Sequence, residues 1–141
     1  MSKFLWAARV YYEDTDCGGV VYHSKYLNYL ERARTEWLRS KGFELDELQA
    51  GQGIMFVVRS IQIEFKRPAR FNQLLEISLS LVSAGKASMV LEQDIQTRPE
   101  QTKQNPGELL VSARVKLACI DASHFKPTSI PDAILKEIIS V

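Results

Sequence analysis

Asp14 and Asp16 stand two positions apart in the segment Tyr11-Tyr12-Glu13-Asp14-Thr15-Asp16-Cys17-Gly18-Gly19-Val20-Val21-Tyr22-His23, just ahead of a stretch with helical periodicity. A carboxylate held beside a helix N-terminus could attack a carbonyl carbon, or take a proton from a water that does so. The unsatisfied N–H groups and partial positive charge of such a terminus suit the oxyanion that would form. Spacing alone does not select this chemistry, because Asp and Gly are ordinary turn residues and an acidic Gly-rich turn before a capped helix gives the same pattern. His23 adds a group that readily carries protons near neutrality. Cys17 next to Asp16 could form a nucleophilic pair with His23, but a small residue packed in a turn is the simpler reading.

These residues need a strand to deliver them and a helix to receive them. Phe4 to Tyr12 is rich in aromatic and aliphatic residues and reads as a strand running into the acidic loop. From about Ser24, Tyr26, Leu30, Ala33 and Trp37 recur at helical spacing, with Leu27 and Leu38 widening the stripe. This predicts a helix of roughly four turns, capped by Ser24 and stopped at Gly42. Glu31 and Glu36 on that helix read as surface ion-pair partners for Arg34 or Arg39 rather than as catalytic carboxylates. Asp46 to Ala50 adds a short helical turn.

Downstream the period falls to two. Ile61, Ile63 and Phe65 form one apolar face, and Leu75, Ile77, Leu79 and Leu81 a second. Ala87, Met89, Leu91 and Ile95 form a third, and Leu109, Val111, Ala113, Val115, Leu117 and Cys119 a fourth. Gly85 marks one turn, while the polar segment from Gln96 to Glu108, with Pro99, Pro106 and Gly107, reads as an exposed hairpin loop. Pro131 to Ile139 closes the chain as a short helix. One strand, one long helix and four further strands without βαβ alternation predict an α+β antiparallel sheet. A single helix covering one face of so twisted a sheet would be wrapped by it.

Composition narrows the classes further. With 141 residues, 45% of them hydrophobic and 25% charged, the chain fits one globular domain spanning 1–141. Eighteen basic against seventeen acidic residues leave a formal charge of +1, which argues against nucleic acid as a partner. No apolar run reaches membrane-spanning length and no secretory signal precedes the first charged residues. The two cysteines, Cys17 and Cys119, form no Cys-x-x-Cys pair, so a cytoplasmic protein with reduced thiols is expected. No zinc-ligand spacing is present, and neither metal nor cofactor is expected.

The run from Tyr12 to His23, followed by Tyr26-Leu27 and Glu31-Arg32-Ala33-Arg34-Thr35-Glu36, resembles the hotdog-fold acyl-CoA thioesterases of the 4-hydroxybenzoyl-CoA thioesterase family. Within that family it is most similar to the bacterial branch associated with the Tol-Pal envelope system. Phe56-Val57-Val58-Arg59, Pro68-Ala69-Arg70, Leu75-Glu76-Ile77 and Lys126-Pro127 extend the similarity over nearly the whole chain. The resemblance implies a hotdog fold, a five-stranded antiparallel sheet wrapped around one long central helix, and hydrolysis of an acyl-CoA thioester. It makes Asp16 the catalytic carboxylate, as nucleophile or general base, and the His23 backbone N–H the oxyanion donor. The His23 side chain and Tyr12 join the site by the same resemblance, and Asp14 is left as a structural loop residue. It implies assembly as a homodimer or homotetramer, and leaves open whether CoA or an acyl carrier protein bears the thioester. Cys17 departs from the family, where Ala or Pro is usual. The alternative on the same fold is a non-catalytic protein that binds acyl-CoA or an acyl carrier protein, against which an intact Asp16 argues.

Overall fold

The computed structural model describes residues 3–16, 18–98 and 107–140. Five strands form one antiparallel sheet: β1 (Phe4–Arg9), β2 (Ile54–Phe65), β3 (Leu74–Ala84), β4 (Ser88–Thr97) and β5 (Leu109–Asp121), in the order β1-β3-β4-β5-β2. Between β1 and β2 lie the long helix α1 (Lys25–Ser40) and the shorter α2 (Leu45–Gln52), and α3 (Asp132–Ile139) follows β5. The expected α+β arrangement is thus present, with α1 packed on the face of β1 and β3 that carries their apolar residues.

Alternation in the strands decides which face is covered. Leu75, Ile77, Leu79, Met89, Leu91, Ile95, Val111 and Val115 are buried on the inner face against Tyr26, Leu30, Ala33 and Trp37 of α1. Three of the four ladders, β2–β5, β3–β4 and β4–β5, are each interrupted once by a bulge, which swaps the faces of the residues beyond it on the bulged strand. The irregularity between Val58 and Ser60 leaves Arg59 as the extra residue, so Ile54 and Phe56 share the inner face with Ile61 and Ile63. A second, where Gln96 pairs with Leu109 and Ile95 with Val111, leaves Leu110 over. That is why Leu109, expected on the apolar face, is exposed while Leu110 and Val111 are both buried. Phe65 likewise is half exposed, its ring lying against Tyr26 with centroids 5.6 Å apart.

Other expectations shift at the element ends. The first strand stops at Arg9 rather than Tyr12, because the carboxylate of Asp14 accepts from the Tyr11 N–H and bends Tyr12–Asp14 into a 3-10 turn. Ser24 makes no side-chain cap: its backbone is already helical at φ −70°, and the Lys25 N–H is satisfied by the Tyr22 carbonyl. Leu27 is exposed and Tyr29 is buried in its stead, since Leu27 sits about a quarter turn off the stripe where nothing covers the helix. At the other end the expected stop holds. Gly42, at φ +94°, donates to the Arg39 carbonyl and Phe43 to that of Leu38, a Schellman closure that demands a left-handed residue.

Of the polar segment expected as a loop, Gln96 and Thr97 remain in β4, and Thr97 and Glu108 close its base through N–H donation to the Glu108 carbonyl and the Thr97 Oγ1. Residues 99–106, with Pro99 and Pro106, lie outside the described residues. Toward the end of β5, Cys119 is fully buried in the same core, its Sγ 3.9 Å from the Ser129 carbonyl, and burial pushes its thiol pKa up.

Candidate active site

The loop between β1 and α1 folds back on itself as a small hairpin. Thr15 bridges Val21, the Asp16 N–H donates to the Val20 carbonyl at 3.0 Å, and the Gly19 N–H returns to the Asp16 carbonyl at 3.0 Å. Gly19 sits at φ +77°, a conformation that costs a side-chain-bearing residue about 1–2 kcal/mol. Outside, Val21 donates to the Ala69 carbonyl, Phe71 to that of Gly19, and Val20 bridges Arg70. The Pro68-Ala69-Arg70 turn therefore braces the hairpin from one side. It is held in turn by α1, because the Ala69 N–H donates to the buried Tyr26 hydroxyl at 2.9 Å.

The two acids of the loop have opposite environments. Asp14 is buried, its Oδ2 accepting from the Tyr11 N–H at 2.9 Å and the Tyr29 hydroxyl at 2.8 Å. Burial first, and the adjacent Asp14 carboxylate second, hold the Tyr29 hydroxyl well above its ordinary pKa, so it remains a donor. Asp16 is exposed at the tip of the hairpin. One of its oxygens accepts from the Gly18 N–H at 2.9 Å, which orients the carboxylate and leaves its other oxygen facing outward without a partner among the described residues. A Cβ at Gly18 would stand 3.3 Å from Asp16 Oδ1, so the carboxylate would have to give by a few tenths of an ångström.

His23 lies where the hairpin runs into α1, one residue beyond Tyr22, whose N–H donates to the Asp14 carbonyl at 3.1 Å. Among the described residues nothing accepts from the His23 N–H, which lies in the turn just ahead of α1. Its ring is exposed and lies against that of Tyr22, with centroids 4.4 Å apart. Tyr12, also exposed, packs its ring on Phe71 at 5.8 Å. Asp16 thus stands at the tip of the hairpin and His23 where the hairpin runs into α1, while Tyr12, ahead of the hairpin, packs on Phe71. Of Cys17 the structure describes nothing.

The carboxylates of α1 play the surface role expected of them in part. Glu36 pairs with Arg39, which also binds Glu44 at 3.0 Å. Arg34 instead turns inward and donates to the side-chain Oε1 of Gln93 at 3.1 Å, and burial, opposed by neighbouring Glu31, lowers its pKa. Gln93 is a fully buried polar residue on the inner face of β4, and it also donates to the Leu30 carbonyl of α1. It escaped sequence reasoning, as did Tyr29 and Gly18. A hydroxyl on an otherwise apolar helix stripe was the available signal, since a buried Tyr seeks a partner. An open depression of about 310 Å³ lies on the outer face of β2, β4 and β5 beside Glu64, Glu92 and Asp94, and none of Asp16, His23 or Tyr12 lines it. Among the described residues no cluster of side chains could hold a metal ion, and no helix is long and apolar enough to cross a membrane.

An antiparallel sheet carrying one long helix, with a hairpin bearing Asp16 leading into that helix, defines an α+β protein. Residues 10–138 match the model of the Thioesterase-like superfamily, and the chain belongs to that family. It is a hotdog-fold thioester hydrolase, as the resemblance of its loop implied. The acyl-CoA thioester hydrolase YbgC of Escherichia coli is 42% identical over 134 residues, covering 95% of this chain and 94% of that protein. A probable thioesterase from Bartonella henselae has a solved structure that superposes with a TM-score of 0.77 at 36% identity, covering 93% of this chain and 100% of the other. A mutant 4-hydroxybenzoyl-CoA thioesterase bound to 4-hydroxybenzoyl-CoA superposes with a TM-score of 0.87 over 96% of this chain and 98% of its own. At 16% identity that last likeness speaks for the fold alone.

Proposed function

We propose that the chain hydrolyses acyl-CoA thioesters, with Asp16 as the catalytic carboxylate, the His23 N–H as oxyanion donor and the His23 ring as a proton carrier. The observation that carries this reading is the exposed Asp16 carboxylate, fixed through one oxygen by Gly18 at the tip of a hairpin that ends at the N-terminus of α1. The hydrolase from Escherichia coli, named for acyl-CoA thioesters, supports the substrate class.

Two routes use the same groups. As nucleophile, the free Asp16 oxygen adds to the thioester carbonyl carbon, the C–S bond breaks, and water then cleaves the resulting anhydride. As general base, Asp16 takes a proton from a water that adds to the same carbon. In both, the carbonyl oxygen gains charge beside the His23 N–H. The departing thiolate takes a proton from His23 in the first route, His23 regaining it from the water that opens the anhydride, and takes the proton that Asp16 drew from water, directly or through His23, in the second. Water enters, and a carboxylic acid and free CoA leave.

Tyr12, with Phe71 beside it, lines the acyl side of the site in this reading. An acyl carrier protein could present the same thioester. The whole chain acts as one thioesterase domain, in the cytoplasm. Assembly joins the proposal on the strength of β2, which ends the sheet with Val58 46% and Phe65 51% exposed. A second copy pairing along that edge would cover it, giving a dimer, and two dimers a tetramer.

The test is a panel of short, long and aromatic acyl-CoAs assayed by release of free thiol, with Asp16→Ala beside the parent. Cleavage of at least one ester by the parent and none by the variant is expected. A parent that cleaves none defeats the substrate class. A variant Asp16→Ala as fast as the parent, with Cys17→Ala inactive, moves the nucleophile to the thiol. Rapid quenching and intact mass measurement then separate the routes, because only direct attack loads the acyl group onto Asp16.

A further inference from the structure

We propose that Asp14 and Tyr29 form a positioning pair that fixes the Asp16 carboxylate relative to the His23 N–H. The inference rests on the catalytic reading of Asp16 and goes beyond it, assigning roles to two buried residues outside the chemistry.

Asp14 joins three parts of the site at once. Its Oδ2 takes hydrogen bonds from the Tyr11 N–H at 2.9 Å, at the start of the loop, and from the Tyr29 hydroxyl at 2.8 Å, inside α1. Its carbonyl accepts from Tyr22, the residue before His23, at 3.1 Å. Two residues further on stands Asp16, bonded back to Val20. The rungs from Asp14 to Tyr22 and from Asp16 to Val20 are therefore steps of one short ladder. Whatever moves Asp14 moves the hairpin tip and the approach to α1 with it.

Tyr29 is suited to hold that ladder. Long side chains on a helix lean back toward its N-terminus, so a residue a little over one turn into α1 delivers its hydroxyl near the helix start. Tyr29 is 1% exposed and Asp14 9% exposed, which removes water as a competing partner. A carboxylate taken out of water this far is costly unless its bonds are met, so Asp14 has more to do than an ordinary turn acid. Both bonds converge on one oxygen, and both ask only for an acceptor there, not for a negative charge. That separates a positioning role from a chemical one.

Catalysis that depends on a reacting carboxylate and an oxyanion donor held on separate segments is sensitive to shifts on the order of 1 Å, which can cost about a hundredfold in rate. The experiment compares Tyr29→Phe, Asp14→Asn, Asp14→Ala and Asp16→Ala with the parent, reading kcat and KM separately on an ester the parent cleaves and checking each fold by thermal melting. Tyr29→Phe keeps the ring, so it is expected to fold, with kcat lowered about tenfold or more and KM within about twofold. Asp14→Asn retains an acceptor oxygen and is expected to stay within a few-fold of the parent, while Asp14→Ala loses the rate. Parental kcat in Tyr29→Phe, with Asp16→Ala inactive, overturns the pairing and leaves Asp16 in place. Loss in Tyr29→Phe that falls on KM alone also overturns it. Asp14→Asn as inactive as Asp14→Ala gives Asp14 a charged, chemical role and overturns it too. Asp16→Ala as active as the parent removes the catalytic reading itself, and the pairing with it. If Asp14→Ala does not fold, Tyr29→Phe and Asp14→Asn decide alone.

Discussion

At the scale of single residues, the proposed mechanism turns on one oxygen of Asp16 being held and the other having no partner among the described residues. Gly18 does the holding, and a methyl group at that position would stand 3.3 Å from the very oxygen it binds. Gly18→Ala is therefore expected to push the carboxylate off its orientation and lower kcat by roughly ten- to a hundredfold, with little change in melting temperature. Steady-state kinetics beside a thermal melt check both halves of this. His23 divides into a backbone and a side chain. With the oxyanion contact proposed for its N–H, His23→Ala should retain that contact and lose the proton carrier, lowering kcat by about 10²–10⁴ with KM little changed. Unchanged turnover in a thiol-release assay would reduce His23 to a backbone donor.

Among the elements, the turn after β5 offers a pH-dependent test. Asp121 accepts from His124 at 3.0 Å and from the Ser123 N–H at 2.8 Å, and these contacts, the one to His124 foremost, pull its carboxyl below the usual carboxylate range. A depressed folded value adds stability that is present above the unfolded carboxylate range and is lost as pH falls through the folded value. Asp121→Asn should thus melt below the parent near pH 6, and the two curves should converge as the pH drops below about 4. Melting profiles across that range read the outcome directly. The elements also show what the sequence could and could not carry. Tyr26, Leu30, Ala33, Trp37 and Gly42 placed α1 and its end, because helical spacing and a left-handed stop are local properties. The bulges at Arg59 and Leu110 depend on which strand lies alongside, so the exposure of Leu109 was beyond a reading of alternation. Asp16 stood out through the company of its neighbours in the chain. The bond between Asp14 and Tyr29 did not, because it joins residues 15 positions apart through a buried contact that only packing reveals.

For the molecule as a whole, the exposed edge strand β2 sets the expectation for assembly. Val58 lies on that strand with 46% of its surface open, so a charge there should oppose pairing with a second copy. Light scattering on the parent is expected to give a multiple of the 16.0 kDa chain, and Val58→Lys a lower one. Equal masses would move the interface elsewhere. The buried thiol of Cys119 has a different use. A thiol that is fully covered, and whose pKa burial raises, can be alkylated only when β5 and the Ser129 segment part. Its labelling rate, followed by peptide mass mapping at Cys119, is then a clock for the opening of this end of β5, and it needs no engineered residue. Slow labelling that quickens in step with denaturant would show that β5 opens only when the whole protein does, and a rate indifferent to denaturant would mark a local door beneath Ser129.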